Sequence, residues 1–219
     1  MRLFNSDNKF TQFMGTLIDL ILLGLLWCLF AVTVVGIGPA SSALYYAVAK
    51  TVRRERGTSP FKEFFRAIKE GWKSSLVVEL FLILLAVGTL MLDGYALVGA
   101  LVNHTIEDPL RFVLGLLEIF FFLAIAVYAF PLASRFEMRS WNLIVVSISL
   151  VFRYFGRTLL MVAMLAMVLL FLIGLPEFVF LVPGMFVYFL SFPMEKVLGS
   201  YLRVSGFEVP EDEDTWYLE

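Results

Sequence analysis

Five stretches of this chain are long and apolar enough to cross a bilayer as helices, and this constrains the fold more than any other feature. They are Phe13–Val35, Leu76–Val102 (interrupted by Glu79 and Asp93), Phe112–Ala133 (with Glu118), Thr158–Leu175, and Phe178–Phe192 continuing past Pro193 to Leu202. A hydrocarbon core of about 30 Å takes roughly 20 helical residues, since backbone N–H and C=O groups cannot stay unpaired in lipid. A sixth segment, Pro39–Val52, is shorter: its 14 residues reach about 21 Å at 1.5 Å per residue. It is apolar nearly all round, unlike an interfacial helix, so it reads as a short return helix buried among its neighbours. Gly36-Ile37-Gly38-Pro39 supplies the turn into it, with glycine free at positive φ and proline preset for a first helical turn.

Composition agrees. Of 219 residues, 60% are hydrophobic and 16% charged, against about 25% charged in soluble domains. The expected fold is an all-α, polytopic transmembrane bundle of five long spans plus one short return helix, with cytoplasmic amphipathic helices. It fills one domain, 1–207, followed by an acidic cytoplasmic tail, 208–219. Lys and Arg number 17 against 19 Asp and Glu, so no basic excess exists to bind nucleic acid. A single Cys28 and a single His104 leave no intrachain disulfide and no Cys/His zinc site. No metal or cofactor is expected.

Basic residues concentrate in cytoplasmic connections and so report orientation. If Pro39–Val52 returns through the membrane, 16 of the 17 Lys and Arg lie inside and only Arg111 outside; if it stays cytoplasmic, the N-terminus flips and the division is 14 to 3. Either way the C-terminus is cytoplasmic. Three segments look like helices lying flat on the inner leaflet before a span: Phe10–Leu17, Phe61–Lys73 and Trp141–Arg157. In the second, Phe61, Phe64, Phe65, Ile68 and Trp72 form one helical stripe; a plain basic linker with aromatic anchors is the simpler reading. The order surface helix, outward span, return span then repeats three times.

Acidic groups inside a span are costly and are functional candidates by default. Here they are Asp19, Glu79, Asp93 and Glu118. Glu79 and Asp93, 14 positions apart, fall on one face at opposite ends of the second span, at interface level; Glu118 is deepest. No Lys or Arg pairs with them at mid-membrane, so they are protonated, meet polar groups such as Ser41, Ser42 or Tyr45, or bind a cation; the plain role is a neutral acid bonded to a neighbouring helix, the functional one transport or coupling. Ala43/Ala47, Ala96/Ala100 and Ala129/Ala133 permit close helix approach. Pro131 and Pro193, each after a phenylalanine, predict helix kinks. Asn103–Pro109 reads as a polar outer turn. No nucleophile elbow, phosphate loop or protease motif is present, so no enzyme is expected.

The N-terminal third carries a recognisable wording: Leu3-Phe4-Asn5, Phe13-Met14-Gly15, Asp19-Leu20-Ile21, Leu25-Leu26-Trp27, Gly36-Ile37-Gly38-Pro39-Ala40, Ala43-Leu44-Tyr45-Tyr46, Lys50, Val52-Arg53 and Phe64-Phe65. Over residues 3–75 it resembles the YesL-like membrane proteins, a domain-of-unknown-function family of Gram-positive bacteria. The motif positions are Asp19, Trp27, Gly36, Gly38, Ala43, Leu44, Tyr45 and Arg53, with Pro39 a local variant. The resemblance implies a multi-pass plasma-membrane protein, commonly encoded beside carbohydrate ABC-transporter permeases. Its expected partners are membrane lipids and those permease subunits. An independent small-solute or ion transporter using the intramembrane carboxylates, and a membrane sensor or scaffold, are the alternatives.

Overall fold

The computed structural model describes residues 9–52, 59–103, 108–136 and 138–204. Arg53, the Asn103–Pro109 turn from 104 to 107, and the acidic tail lie outside them. Among the described residues the fold is entirely helical: α1 (Lys9–Ala31), α2 (Ile37–Ala47), α3 (Pro60–Leu92), α4 (Gly94–Asn103), α5 (Pro109–Arg135), α6 (Ser140–Arg153), α7 (Phe155–Gly174) and α8 (Val182–Val204). Short 3-10 turns at Val34–Gly36 and Pro176–Phe180 precede α2 and α8, and a π-turn at Val48–Val52 extends α2.

Four helices are long and apolar enough to cross a membrane: Phe13–Ala31 within α1, then α3, α5 and α7. Their outward faces are apolar, with Leu84, Met91, Met167 and Ile173 each more than 70% exposed. Such faces belong in lipid, and the chain is a membrane protein. The fifth apolar stretch forms α8, which carries Glu195 and Lys196 and is not one of the four.

Several sequence expectations need correction. The span expected at Leu76–Val102 is two helices, because the chain breaks at Asp93 (φ −121°, ψ 0°) ahead of Gly94, a poor helix former. The flat surface helix expected at Phe61–Lys73 is instead the opening of α3, which runs unbroken for 33 residues. Its stripe divides: Phe64 and Ile68 are buried against protein, while Phe65 and Trp72 face outward. Phe64 finds its cover in α1, where Phe30 packs edge-on to it at 6.0 Å between ring centroids.

The third expected surface helix also behaves differently. α6 doubles back along α5, bringing Phe152 against Phe121 at 5.6 Å, and Phe155 at the head of α7 meets Phe120 at 6.0 Å. α7 therefore sets out beside the middle of α5 and not from its basic end. Leu143, Ile144, Ser147, Leu150 and Val151 are the buried face of α6, spaced at i, i+1, i+4, i+7 and i+8 as one side of a helix requires.

α2 is short and buried, as the sequence suggested. From Gly38 to Val52 every residue is buried except Ser41, which is half-buried. It lies antiparallel to α3, with Gly38 against Glu79, Ser42 bonded to Ser75, and Lys50 paired with Glu63. The glycines of its entry turn serve close approach. Gly36 has φ −95°, so positive φ is not used; a Cβ there would strike the Phe30 carbonyl, and one on Gly38 would sit 2.9 Å from the Glu79 Cβ. Pro39 falls in the first turn, where a missing N–H costs no helical bond. Alanines 43, 47, 129 and 133 are buried as expected, but the tightest crossing is elsewhere. A Cβ on Gly24 would overlap the Phe180 carbonyl and one on Gly184 the Leu20 carbonyl, so α1 and α8 meet backbone to backbone.

Candidate functional site: a buried polar helix beside an apolar cavity

A helix buried all round must find a partner inside the protein for each polar side chain it carries. α2 does so by binding a different neighbour at almost every turn. Ser41 accepts a hydrogen bond from the Trp27 indole (3.0 Å) on α1, and Ser42 accepts one from Ser75 (2.9 Å) on α3. Tyr45 donates to Glu195 Oε1 (2.8 Å) on α8, whose other oxygen takes Arg135 Nη1 (3.2 Å) from α5. In the π-turn, Lys50 pairs with Glu63 at 2.9 Å, donates to the Tyr46 hydroxyl at 3.3 Å and lies 5.2 Å from that ring's centroid. Lys50 and Glu63 are buried, while Arg135 and Glu195 are half-buried residues whose side chains are 8% and 10% exposed. A local π-turn shifts side chains out of α-helical register and often marks a functional position; here it carries Lys50.

The four acids singled out from the sequence are not drawn together, and no group of three or more His, Cys, Asp or Glu fit to hold a metal occurs among the described residues. Glu79 is buried against Gly38 at the start of α2, and neither of its carboxylate oxygens closes a well-aligned hydrogen bond among the described residues. A helix N-terminus is a favourable place for an acidic group, so Glu79 serves as an anchor for α2 from the facing helix. Asp93 is buried at the α3–α4 break. Asp19 is half-buried on α1. Glu118, also half-buried, keeps one buried oxygen without a hydrogen-bond partner among the described residues.

The remaining motif residues fall into place around α2. Ala43, Leu44 and Tyr45 are fully buried or nearly so. Pro131 and Pro193 both lie inside unbroken helices; each removes one backbone donor, at the carbonyls of Val127 and Phe189. What the sequence reading missed is the pairing of Lys50 and Arg135, counted there among the cytoplasmic basic residues, with Glu63 and Glu195, which were not singled out. The available signal was position: Lys50 closes an apolar run, and Glu195 sits two residues past Pro193 in another.

Beside α2 lies a partly open cavity of about 240 Å³ bordered by α1, α2, α5, α7 and α8. Its lining is almost wholly apolar, including Leu44, Phe130, Leu169 and Phe186. The polar groups at its edge are already engaged: Trp27 with Ser41, and Tyr45 with Glu195.

Comparison with known proteins points to one family. Residues 20–94 match the profile described as "Protein of unknown function, DUF624". The chain is 24% identical to the "Uncharacterized protein YesL" of Bacillus subtilis (strain 168) over 159 residues, covering 71% of this chain and 73% of that protein. No solved structure matches. The matched region holds α2 and its partners on α1 and α3, while Arg135 and Glu195 lie beyond it.

Proposed function

We propose, from the premise that this chain carries a YesL-like domain of unknown function, that it is a non-enzymatic accessory of a carbohydrate ABC transport system. In this reading it binds permease subunits through the lipid-facing sides of its membrane helices. The observation that carries it is the chemistry of the interior. A sugar path needs free hydrogen-bonding groups along its length, whereas this cavity is apolar and its few polar edges are bonded to one another. The working surface is then the outside of the bundle.

The orientation belongs to the same proposal. Lys50, Lys62, Arg66, Lys69, Lys73, Arg135 and Arg139 gather where α2 ends, α3 begins and α5 ends; by the bias of basic residues that end faces the cytoplasm of the plasma membrane. We place α8 as a fifth span, and the acidic tail on the cytoplasmic side with Lys196 and Arg203.

Co-purification tests the partner. A tagged copy, crosslinked in membranes and extracted in mild detergent, is expected to bring down permease subunits; a tagged copy that captures none under crosslinking overturns the proposal. Glu118 favours a second reading, a proton-coupled transporter, because one buried oxygen lacks a partner. Purified chain in proteoliposomes would then show a pH-dependent solute flux that Glu118→Gln abolishes; no flux from the chain alone rejects it.

A further inference from the structure

We propose that the cavity beside α2 is a binding site for one acyl chain of a bilayer lipid, admitted from the membrane past Leu169 of α7. This inference is independent of the transport partner proposed above. The space measures about 240 Å³ and is open on part of its boundary. Apolar cavities of roughly 150 Å³ stay dry and take up small hydrocarbons. The walls offer no free polar side chain with which to hold water. Ser41, Trp27 and Tyr45 are the polar residues at its edge, and each makes a hydrogen bond inside the protein.

The occupant follows from where the cavity opens. Leu169 lines it and is 44% exposed. Its neighbours on α7, Met167, Leu170 and Ile173, are the exposed apolar face of a helix able to span the membrane. A mouth on that face looks into hydrocarbon. Lipid chains are the apolar molecules present there at high concentration, and an alkyl chain needs no hydrogen bond from the walls. The packing around the space is asymmetric in a fitting way: α2 closes one side with fully buried Leu44 and Tyr45, while α7 contributes half-exposed side chains.

Trp27 provides the probe, since its ring lines the cavity. In a Trp72→Phe, Trp141→Phe, Trp216→Phe background, full-length protein is reconstituted in phosphatidylglycerol vesicles whose lipids carry bromine midway along one chain. Strong quenching of Trp27 is expected, and Ala126→Phe, which fills the cavity from α5, should remove most of it while the circular dichroism stays that of the parent. Quenching that Ala126→Phe leaves unchanged would mean that Trp27 sees only bulk lipid and would overturn the site. Val168→Phe fills the same space from α7 and repeats the test if the first variant misfolds. Native mass spectrometry of the unmodified chain supplies a measurement free of substitutions. One phospholipid retained through delipidation supports the proposal; a chain that emerges bare, or holding detergent with no preference for added lipid, refutes it.

Discussion

α2 and α6 are both short helices that follow a long one, and they are buried in opposite ways. α6 hides one face, and that face is apolar apart from Ser147, which donates to the Leu143 carbonyl one turn back (2.7 Å). Trp141, Val145 and Phe152 stay exposed on its other side. α2 is covered all round and spends its polar side chains on α1, α3, α5 and α8 through direct bonds or through Glu195. A helix buried on one side needs only periodic apolar residues. One buried on every side needs partners placed by other parts of the chain, which makes α2 the element on which the bundle's arrangement depends.

The sharpest way to break this comparison is to remove a charge from the α2 network. Glu195→Ala leaves Arg135 and the Tyr45 hydroxyl without that carboxylate, and a loss of about 3–5 kcal/mol is expected for opening a buried pair. Unfolding in detergent micelles reads it. Adding Arg135→Ala should cost far less than the sum of the two single changes, because the residues act together. In α6, Leu150→Ala removes a fully buried apolar side chain for about 2–5 kcal/mol. Combined with Leu143→Ala two turns away, its effect should be nearly additive. Coupling in α6 as strong as in α2 would erase the distinction.

Gly38→Val tests the close approach of α2 to α3. The new side chain meets Ser75 and Glu79, and about 1–3 kcal/mol of overpacking is expected in the same assay. The smallest effect belongs to Trp27→Phe, which keeps an aromatic ring but gives up the indole's second ring and the bond to Ser41. Roughly 0.5–1.5 kcal/mol should be lost, with no change in helix content by circular dichroism. A larger loss would give the Trp27–Ser41 contact a weight equal to the ion pairs.

Much of the fold was legible in the sequence because lipid imposes a simple length rule. α1, α5 and α7 lie close to where their apolar runs put them, and Pro39–Val52 is short and buried as read. Phe61–Lys73 was misread because an amphipathic stripe is identical whether its apolar side meets lipid or protein, and only the packing of Phe64 and Ile68 decides. The candidate site was less legible. Trp27, Ala43, Leu44 and Tyr45 were picked out through the family wording, and they do surround or form α2. Glu63 and Arg135 were not, since each stands in a charged neighbourhood that resembles an ordinary cytoplasmic edge, and Glu195 was passed over although it follows Pro193 in an apolar run.

The amino-acid sequence by itself determined that this chain is helical and built for a membrane, because apolar runs of that length satisfy their backbone only as helices in hydrocarbon. It also marked α2 as an element without a polar face. Tertiary structure alone decided which side chains pair across 150 positions, as Tyr45 does with Glu195, where α3 gives way to α4, and that five helices leave an apolar cavity between them. The reason is physical: a carboxylate's partner and a helix's neighbours are properties of positions in space, and sequence spacing fixes position only within a single helix.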